Sequence, residues 1–525
     1  MDVSAGTEEP KVDELEGYNY HVEEIREREY PMLKGKTYLD HGGTTLYAKS
    51  LVDDFSADLL SNLYGNPHSD STPAALAGHK VDEVRERTLR FFNADPEHFD
   101  LVFVANASAA VKLVMEAFRD YADASKSSLF NSKNFWYGYH RDAHTSVVGV
   151  RELTNGRHRC FQSDDEVEKW IAEKDRFPSR RISLFGYPGQ SNMTGRRLPL
   201  SWPGKIRRSK PDTYTLLDAA ALATTCPIDL SNEEEAPDFI SMSFYKVFGF
   251  PNLGALIVRK RASHMFQHRK YFGGGTVDMV VSINDTWHAR KDSSLHDQLE
   301  DGTTAFHAIF ALNAAIDVHQ RLFGSMKQVS AHTTCLAREL YRRVTNLKHY
   351  DGSPVVHVYK DDAAIYGDSQ TQSATIAFNV TRTDGALIGY TDVEKLADSQ
   401  GIYVRSGGLC NPGGVATYLD WRPWEMKASY AAGHRCSKPT QVMKGKPTGV
   451  VRVSLGAMST MADVNTFLNF IQENYMEEGP AEPPTPKMSS KKVEFNLEEP
   501  QKKPATQTWT SFFSTIFCLK HGEDE

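Results

Sequence analysis

Residues 238–258 read Asp238-Phe-Ile-Ser-Met-Ser-Phe-Tyr-Lys246-Val-Phe-Gly-Phe-Pro-Asn-Leu-Gly-Ala-Leu-Ile-Val258. Two apolar runs, Phe239 to Met242 and Ala255 to Val258, read as short buried strands. Between them Ser243, Lys246, Gly249, Pro251 and Gly254 form a loop, because Gly and Pro interrupt regular structure. A lysine that ends a buried strand among aromatics is poorly solvated. Desolvation lowers its pKa and frees the amine as a nucleophile, which is what a Schiff-base lysine needs. A lone strand-end lysine ordinarily keeps its head in water, so the surroundings of Lys246 decide between the two readings.

Upstream lies Leu216-Leu217-Asp218-Ala219-Ala220-Ala221, an apolar strand ending in one carboxylate and then small residues. A carboxylate at the C-terminal end of a strand sits where α/β folds bind ligands. Pyridoxal phosphate needs an acid beside its ring nitrogen, to keep the ring protonated as an electron sink. Asp218 and Lys246, in this order and each ending a strand, resemble the class V aminotransferase group of pyridoxal-phosphate enzymes, which includes the cysteine desulfurases.

A chain of 525 residues with net charge −8 can bury a large core, and ~100–200 residues per domain predicts two or three domains. The acidic balance gives no support to nucleic-acid binding. Six cysteines are scattered without a C-x-x-C pair, which argues against a disulfide framework or a metal site and suits a reducing, cytoplasmic compartment. The polar N-terminus is no signal peptide, and no apolar run reaches membrane-spanning length. Residues 1–20 read as disordered, and Tyr18 to Leu33 as an arm helix.

Further motifs extend the resemblance in order. Tyr38-Leu39-Asp40-His41-Gly42-Gly43 is similar to the family's opening segment, and its glycines allow close backbone approach to a ligand. Tyr64-Gly65-Asn66-Pro67-His68-Ser69 matches a family loop. Thr72 reads as the N-cap of a helix that runs to about Phe92, with Pro73 at its first helical position. Strand Leu101 to Val104 leads through Asn106-Ala107-Ser108 into helix Ala109 to Tyr121, and a small-residue turn at a helix N-terminus suits a phosphate. The family usually carries Gly-Thr-Thr here, so backbone amides at Ala107 and Ser108, with Ser243, are expected to carry more of the contact. The resemblance further implies that His144 stacks on the cofactor ring and that Asn192, in Ser191-Asn192-Met193-Thr194-Gly195, lies near its phenolic oxygen. Glu300-Asp301-Gly302-Thr303 resembles the element that reaches across a dimer interface to the partner's phosphate, with Thr303 as the candidate and Asp301 as an awkward charge.

Beyond two long amphipathic helices, Phe306 to Phe323 and Gln328 to Leu347, strands read at Val355 to Tyr359 and Thr375 to Val380. Thr391 to Glu394 reads as a capping box opening a helix that ends at Gly401. Then comes Val404-Arg405-Ser406-Gly407-Gly408-Leu409-Cys410-Asn411-Pro412-Gly413-Gly414. A cysteine on a Gly/Pro-rich loop is accessible and near backbone N–H groups, conditions that favour a reactive thiolate; a small buried hydrophobe is the alternative. The pattern resembles the persulfide loop of desulfurases, most closely the molybdenum cofactor sulfurases. Arg452 matches the arginine that grips the substrate α-carboxylate, a task for its planar fork, with Gly42 and Arg405 beside it.

The resemblance covers about residues 36–475. It implies an α/β, fold-type-I, homodimeric pyridoxal-phosphate enzyme with a large, mostly parallel, seven-stranded-type sheet domain (36–323). A smaller α+β domain would comprise residues 21–35 and 324–475 and carry the cysteine loop. It implies L-cysteine as substrate, Cys410 as sulfur carrier, and the molybdenum cofactor or a carrier protein as acceptor. Another lyase or aminotransferase on the same fold is an alternative, as is a non-catalytic paralogue that acts as a binding partner. Ala221 and Tyr245 stand where many desulfurases carry glutamine and histidine, as in the sulfurase branch. Residues 476–525, rich in Pro, Glu and Lys and then aromatic, read as a linker-like tail, where that branch has a cofactor-binding domain.

Overall fold

Near-continuous apolar runs cannot present a wet face, so they pair inside a sheet covered on both sides. The computed structural model describes residues 15–124, 135–173 and 182–479. Its largest sheet has seven strands: β1 (Phe99–Val104), β2 (Trp136–His140), β3 (His158–Phe161), β4 (Ser183–Pro188), β5 (Thr213–Asp218), β6 (Phe239–Ser243) and β7 (Gly254–Arg259). Their order is β1-β7-β6-β5-β4-β2-β3. All neighbours run parallel except β7, which is antiparallel to β1 and to β6.

Successive residues of a strand face opposite sides, and each side has its own core. Leu217, Ile240 and Met242 face one core with Trp202 and Phe310. Leu216, Phe239 and Leu256 face another with Val114 and Phe118.

A second sheet is antiparallel, with β8 (Val356–Tyr359), β9 (Thr375–Val380), β10 (Arg405–Gly407) and β11 (Val450–Ser454) in the order β8-β9-β11-β10. Ile376, Phe378 and Val380 pack on one of its faces against helices Met326–Thr345 and Met461–Tyr475. Ala377 and Val450 face the other way, onto Met193, Val415 and Trp421.

Several boundaries differ from the sequence reading. Disorder as far as residue 20 is corrected at its end: Leu15 and Tyr18 are buried, and Tyr18 accepts a hydrogen bond from Met461 N–H at 3.2 Å. Residues 1–14, and the tail from Pro480 onward, lie outside the described residues. The arm helix is Val22–Glu29. Ser71, not Thr72, occupies the N-cap of helix Thr72–Phe91, which puts Pro73 at its second position. Helix Tyr390–Ser399 has Gly389 at its N-cap, and the expected capping box is absent because Thr391 N–H donates instead to Gln441 Oε1 at 2.7 Å. Strands β2 and β3 are not evident from the sequence, since Gly138 and the polar His158 and Arg159 break their apolar runs.

Candidate active site

Three strand ends converge on one cavity. β5 ends at Asp218, which is buried and accepts a hydrogen bond from Ala220 N–H at 3.0 Å. β6 ends at Ser243, and a one-turn helix, Tyr245–Phe248, then carries Lys246. Gly249 closes that turn at φ +79°, where a Cβ would run into the Leu46–Tyr47 backbone, so only glycine fits. β1 feeds the 18-residue helix Ala107–Ala124. Together they enclose about 190 Å³ lined by Ala107, Ser108, His144, Asn192, Asp218, Ser243 and Lys246. Seven of the sequence-predicted residues therefore meet in one place.

The electrostatics suit their expected roles. Burial pushes the Lys246 ammonium below its ordinary range, opposed by the nearby Asp218 carboxylate. Burial also lowers His144, whose Nδ1 accepts a hydrogen bond from Ser146 N–H at 3.1 Å and so leaves the proton on Nε2. At the helix N-terminus Ala107 N–H donates to Ser243 Oγ at 2.9 Å, Asn106 Oδ1 accepts from Ala109 N–H at 3.0 Å, and Ser108 meets Ser146 at 2.5 Å. Hydroxyls and a helix end grouped in this way fit a phosphate. An acid at one end of the cavity, an amine beside it and this anion site fit pyridoxal phosphate.

Arg452 is 4% exposed. Its Nη2 pairs with Asp40 at 2.5 Å and its Nη1 donates to Asn192 O at 2.8 Å, while Nε has no protein partner. A buried guanidinium with an unused donor suits a carboxylate ligand. Gly42 lies against it: a Cβ there would stand 3.2 Å from the guanidinium carbon, and Gly42 N–H donates to Ser454 Oγ at 2.7 Å. Arg405 sits directly across the β10–β11 ladder from Arg452, with its side chain exposed.

Cys410 is exposed. It and Leu409 have φ of +53° and +55°, a left-handed conformation that costs roughly 1–2 kcal/mol for each non-glycine residue. The turn is tied to the cavity rim: Asn192 Nδ2 donates to Leu409 O at 2.7 Å, and Thr145 N–H donates to Cys410 O at 2.9 Å. An amide NH2 carries two hydrogens, so Asn192 can serve Leu409 and a ring oxygen in the cavity together.

Thr303 is the one predicted cofactor contact that does not line this cavity; it lines a separate cleft of about 750 Å³ with Asn252, Arg269 and Asp301. The charge of Asp301 is neutralised by Arg269, whose Nη1 donates to it at 3.2 Å. Asp40 and Asn411 stand within the motifs, and the roles they take, Asp40 on Arg452 and Asn411 on Asn192, come from contacts distant in sequence. Asn before Pro at a helix start is an N-cap signal, and Asn411 does cap helix Pro412–Tyr418.

Among the described residues no cluster could hold a metal ion, and no helix is long and apolar enough to cross a membrane.

Residues 37–420 match the Aminotransferase class-V family. The chain belongs to this family. A molybdenum cofactor sulfurase from Aspergillus niger is 56% identical over 463 residues, covering 88% of this chain and 55% of that one. One from Aspergillus fumigatus is 54% identical over 465 residues, covering 88% and 54%. The chain thus spans about half the length of the curated relatives it matches. Among solved structures, a cysteine desulfurase from Thermococcus onnurineus superimposes with a TM-score of 0.66 at 20% identity, covering 86% of this chain and 97% of that one. The fold is therefore the type I fold of pyridoxal-phosphate enzymes, with its mostly parallel seven-stranded sheet.

Proposed function

We propose that this chain is a pyridoxal-phosphate-dependent cysteine desulfurase that loads sulfur onto Cys410, and that it corresponds to the sulfur-mobilising portion of a molybdenum cofactor sulfurase. The observation that carries this reading is the hydrogen-bonded tie between the turn bearing Cys410 and the wall of the Lys246–Asp218 cavity. A cysteine incidental to the chemistry would have no reason to be held there in a strained conformation.

In this reading Arg452 takes the α-carboxylate of L-cysteine, with Gly42 leaving room and Arg405 at the entrance. Lys246 anchors the cofactor and later moves protons at the substrate carbons. Asp218 keeps the ring nitrogen protonated, and His144 covers the ring. Bound pyridoxal phosphate supplies an electron sink for charge that develops on the substrate. The Cys410 thiolate forms an S–S bond to the substrate sulfur, the substrate C–S bond breaks, and the released electron pair stays with carbon. That carbon takes a proton, giving alanine and the Cys410 persulfide. The sulfur then passes to an acceptor, the molybdenum cofactor or a carrier protein. We further propose a homodimer in which Thr303 completes the partner's phosphate site, a division of labour between the two sheets as two domains, and a cytoplasmic setting that suits the free cysteines.

The test is Cys410→Ser. The variant should keep the visible band of bound cofactor and bind L-cysteine, yet accumulate no protein persulfide and form alanine at background rate. Undiminished alanine and sulfide release would remove Cys410 from the mechanism and favour a lyase on the same fold.

A further inference from the structure

Gly408-Leu409-Cys410-Asn411 is a turn closed by Asn411 N–H donating to Gly408 O at 3.0 Å, with both central residues left-handed. Such turns favour Gly, Asn and Asp at the centre; Leu and Cys hold the conformation only where their surroundings impose it. Those surroundings meet at one side chain. Asn411 is fully buried. Its Oδ1 accepts from Gly414 N–H at 2.8 Å, and its amide donates to Asn192 Oδ1 at 3.0 Å, to Asp142 O at 3.1 Å and to Ser191 Oγ at 3.4 Å. Asp142 is itself buried and held by Arg196 Nη1 at 3.3 Å. Behind the turn a Cβ on Gly413 would collide with Arg141 O. One carboxamide thus joins the cysteine turn to both rim segments, 141–145 and 191–192. Asn192 and Thr145 on those segments hold the carbonyls of Leu409 and Cys410.

We propose that Asn411 is a positioning residue: its carboxamide imposes the left-handed turn and so fixes where the Cys410 thiol stands at the mouth of the Lys246 cavity. It does not line the cavity, and of the lining residues its side chain bonds Asn192. Its consequence for turnover rests on the desulfurase reading, but its grip on the thiol does not.

The experiment compares the parent chain with Asn411→Ala, the near-isosteric Asn411→Asp, and Asn411→Ala combined with Leu409→Gly. Asn411→Asp keeps the acceptor for Gly414 but sets a carboxylate against Asn192 Oδ1 and Asp142 O, which can only accept. Three quantities are read: the rate of Cys410 alkylation by iodoacetamide in cofactor-free protein, followed on the Cys410 peptide by mass; the visible band of bound cofactor; and kcat and KM for L-cysteine. Both single variants should keep the band and hold KM within about twofold, while kcat falls about tenfold or more, because small misplacements of a reacting atom are costly. Alkylation of Cys410 should quicken about threefold or more as the turn opens. Leu409→Gly should restore part of kcat to Asn411→Ala, since glycine adopts the left-handed conformation without steric cost; a loss of general stability would not be repaired this way. Parent-like kcat and alkylation in Asn411→Asp would overturn the proposal, as would a band and kcat that fall together. If the parent itself forms no persulfide, the desulfurase reading fails, and the alkylation rates still decide the role of Asn411.

Discussion

Lowering the pH from about 7.5 to about 5 should weaken the fold, with His319 responsible for a defined share of the loss. His319 is 7% exposed and ringed by Phe91, Phe248 and Phe323, and its Nδ1 has no partner. Burial pushes its pKa down to about 4, against ~6.5 in an unfolded chain. Between those values the unfolded state binds a proton that the folded state refuses. The contribution is therefore intact above about pH 6.5 and is lost progressively as the pH falls toward 4. At pH 5 the difference in proton binding comes to about 2 kcal/mol for this one histidine. His332, also lowered to about 4 by burial, adds a similar amount, and so does His41, lowered to about 3 by burial and by the nearby Arg26. His319→Leu removes one titrating group and fills the aromatic pocket. Urea unfolding at both pH values should show the parent losing about 2 kcal/mol more than the variant. Equal losses would refute the reasoning, because they would mean that His319 titrates in the folded state as it does in water.

Lys246→Ala should abolish the visible cofactor band after dialysis along with turnover, since no other lysine lines the cavity; a band of full strength would misassign the anchor. Arg452→Gln should raise KM for L-cysteine by roughly 10- to 150-fold, the worth of a lost charged hydrogen bond of ~1.5–3 kcal/mol, with a smaller change in kcat. Initial rates against L-cysteine concentration will separate the two parameters. Ending the chain at Gly479 should leave persulfide formation near the parent rate, because the assigned residues lie between Gly42 and Arg452. The cut belongs there rather than after Tyr475, because Glu477 accepts a hydrogen bond from Thr383 Oγ1 at 2.5 Å and its N–H donates to His349. Persulfide yield from L-cysteine, measured on both chains, checks this.

The sequence was most informative where backbone and chemistry coincide. Asp218 and Ser243 end strands whose apolar runs mark them, so both their element and their position could be read, while Lys246, expected at a strand end, lies on the one-turn helix that follows. Arg452 was recognisable only through its motif, because nothing local reveals that Asp40, more than 400 residues away along the chain, will neutralise it. The antiparallel course of β7 was hidden for a different reason: a run buried on both faces looks the same in either direction. Strands β2 and β3 were missed because their apolar pattern is interrupted. Asn411 was legible as a helix cap but not as a clasp, since its partners lie on segments 141–145 and 191–192, far away in sequence.

These long-range contacts divide the work between the two sheets. The seven-stranded sheet delivers Asp218 and Ser243 at the ends of its strands, and Lys246 and the Ala107–Ser108 helix start just beyond them, the groups proposed to hold the cofactor. The four-stranded sheet delivers Arg452 at the start of one ladder and, through β10, the turn with Cys410. Neither sheet alone fixes where the Cys410 turn stands relative to Arg452. Asn192 does so from the cavity wall: its backbone carbonyl receives Arg452, its side-chain oxygen receives Asn411, and its amide nitrogen holds Leu409. One residue therefore refers Arg452 and the Cys410 turn, the proposed carboxylate grip and sulfur carrier, to the same point. A shift of Asn192 would move both at once, whereas a change at Asn411 leaves the Arg452 bond to the Asn192 backbone carbonyl in place and should act mainly on the thiol. That difference is why the KM–kcat split is the discriminating measurement for this site.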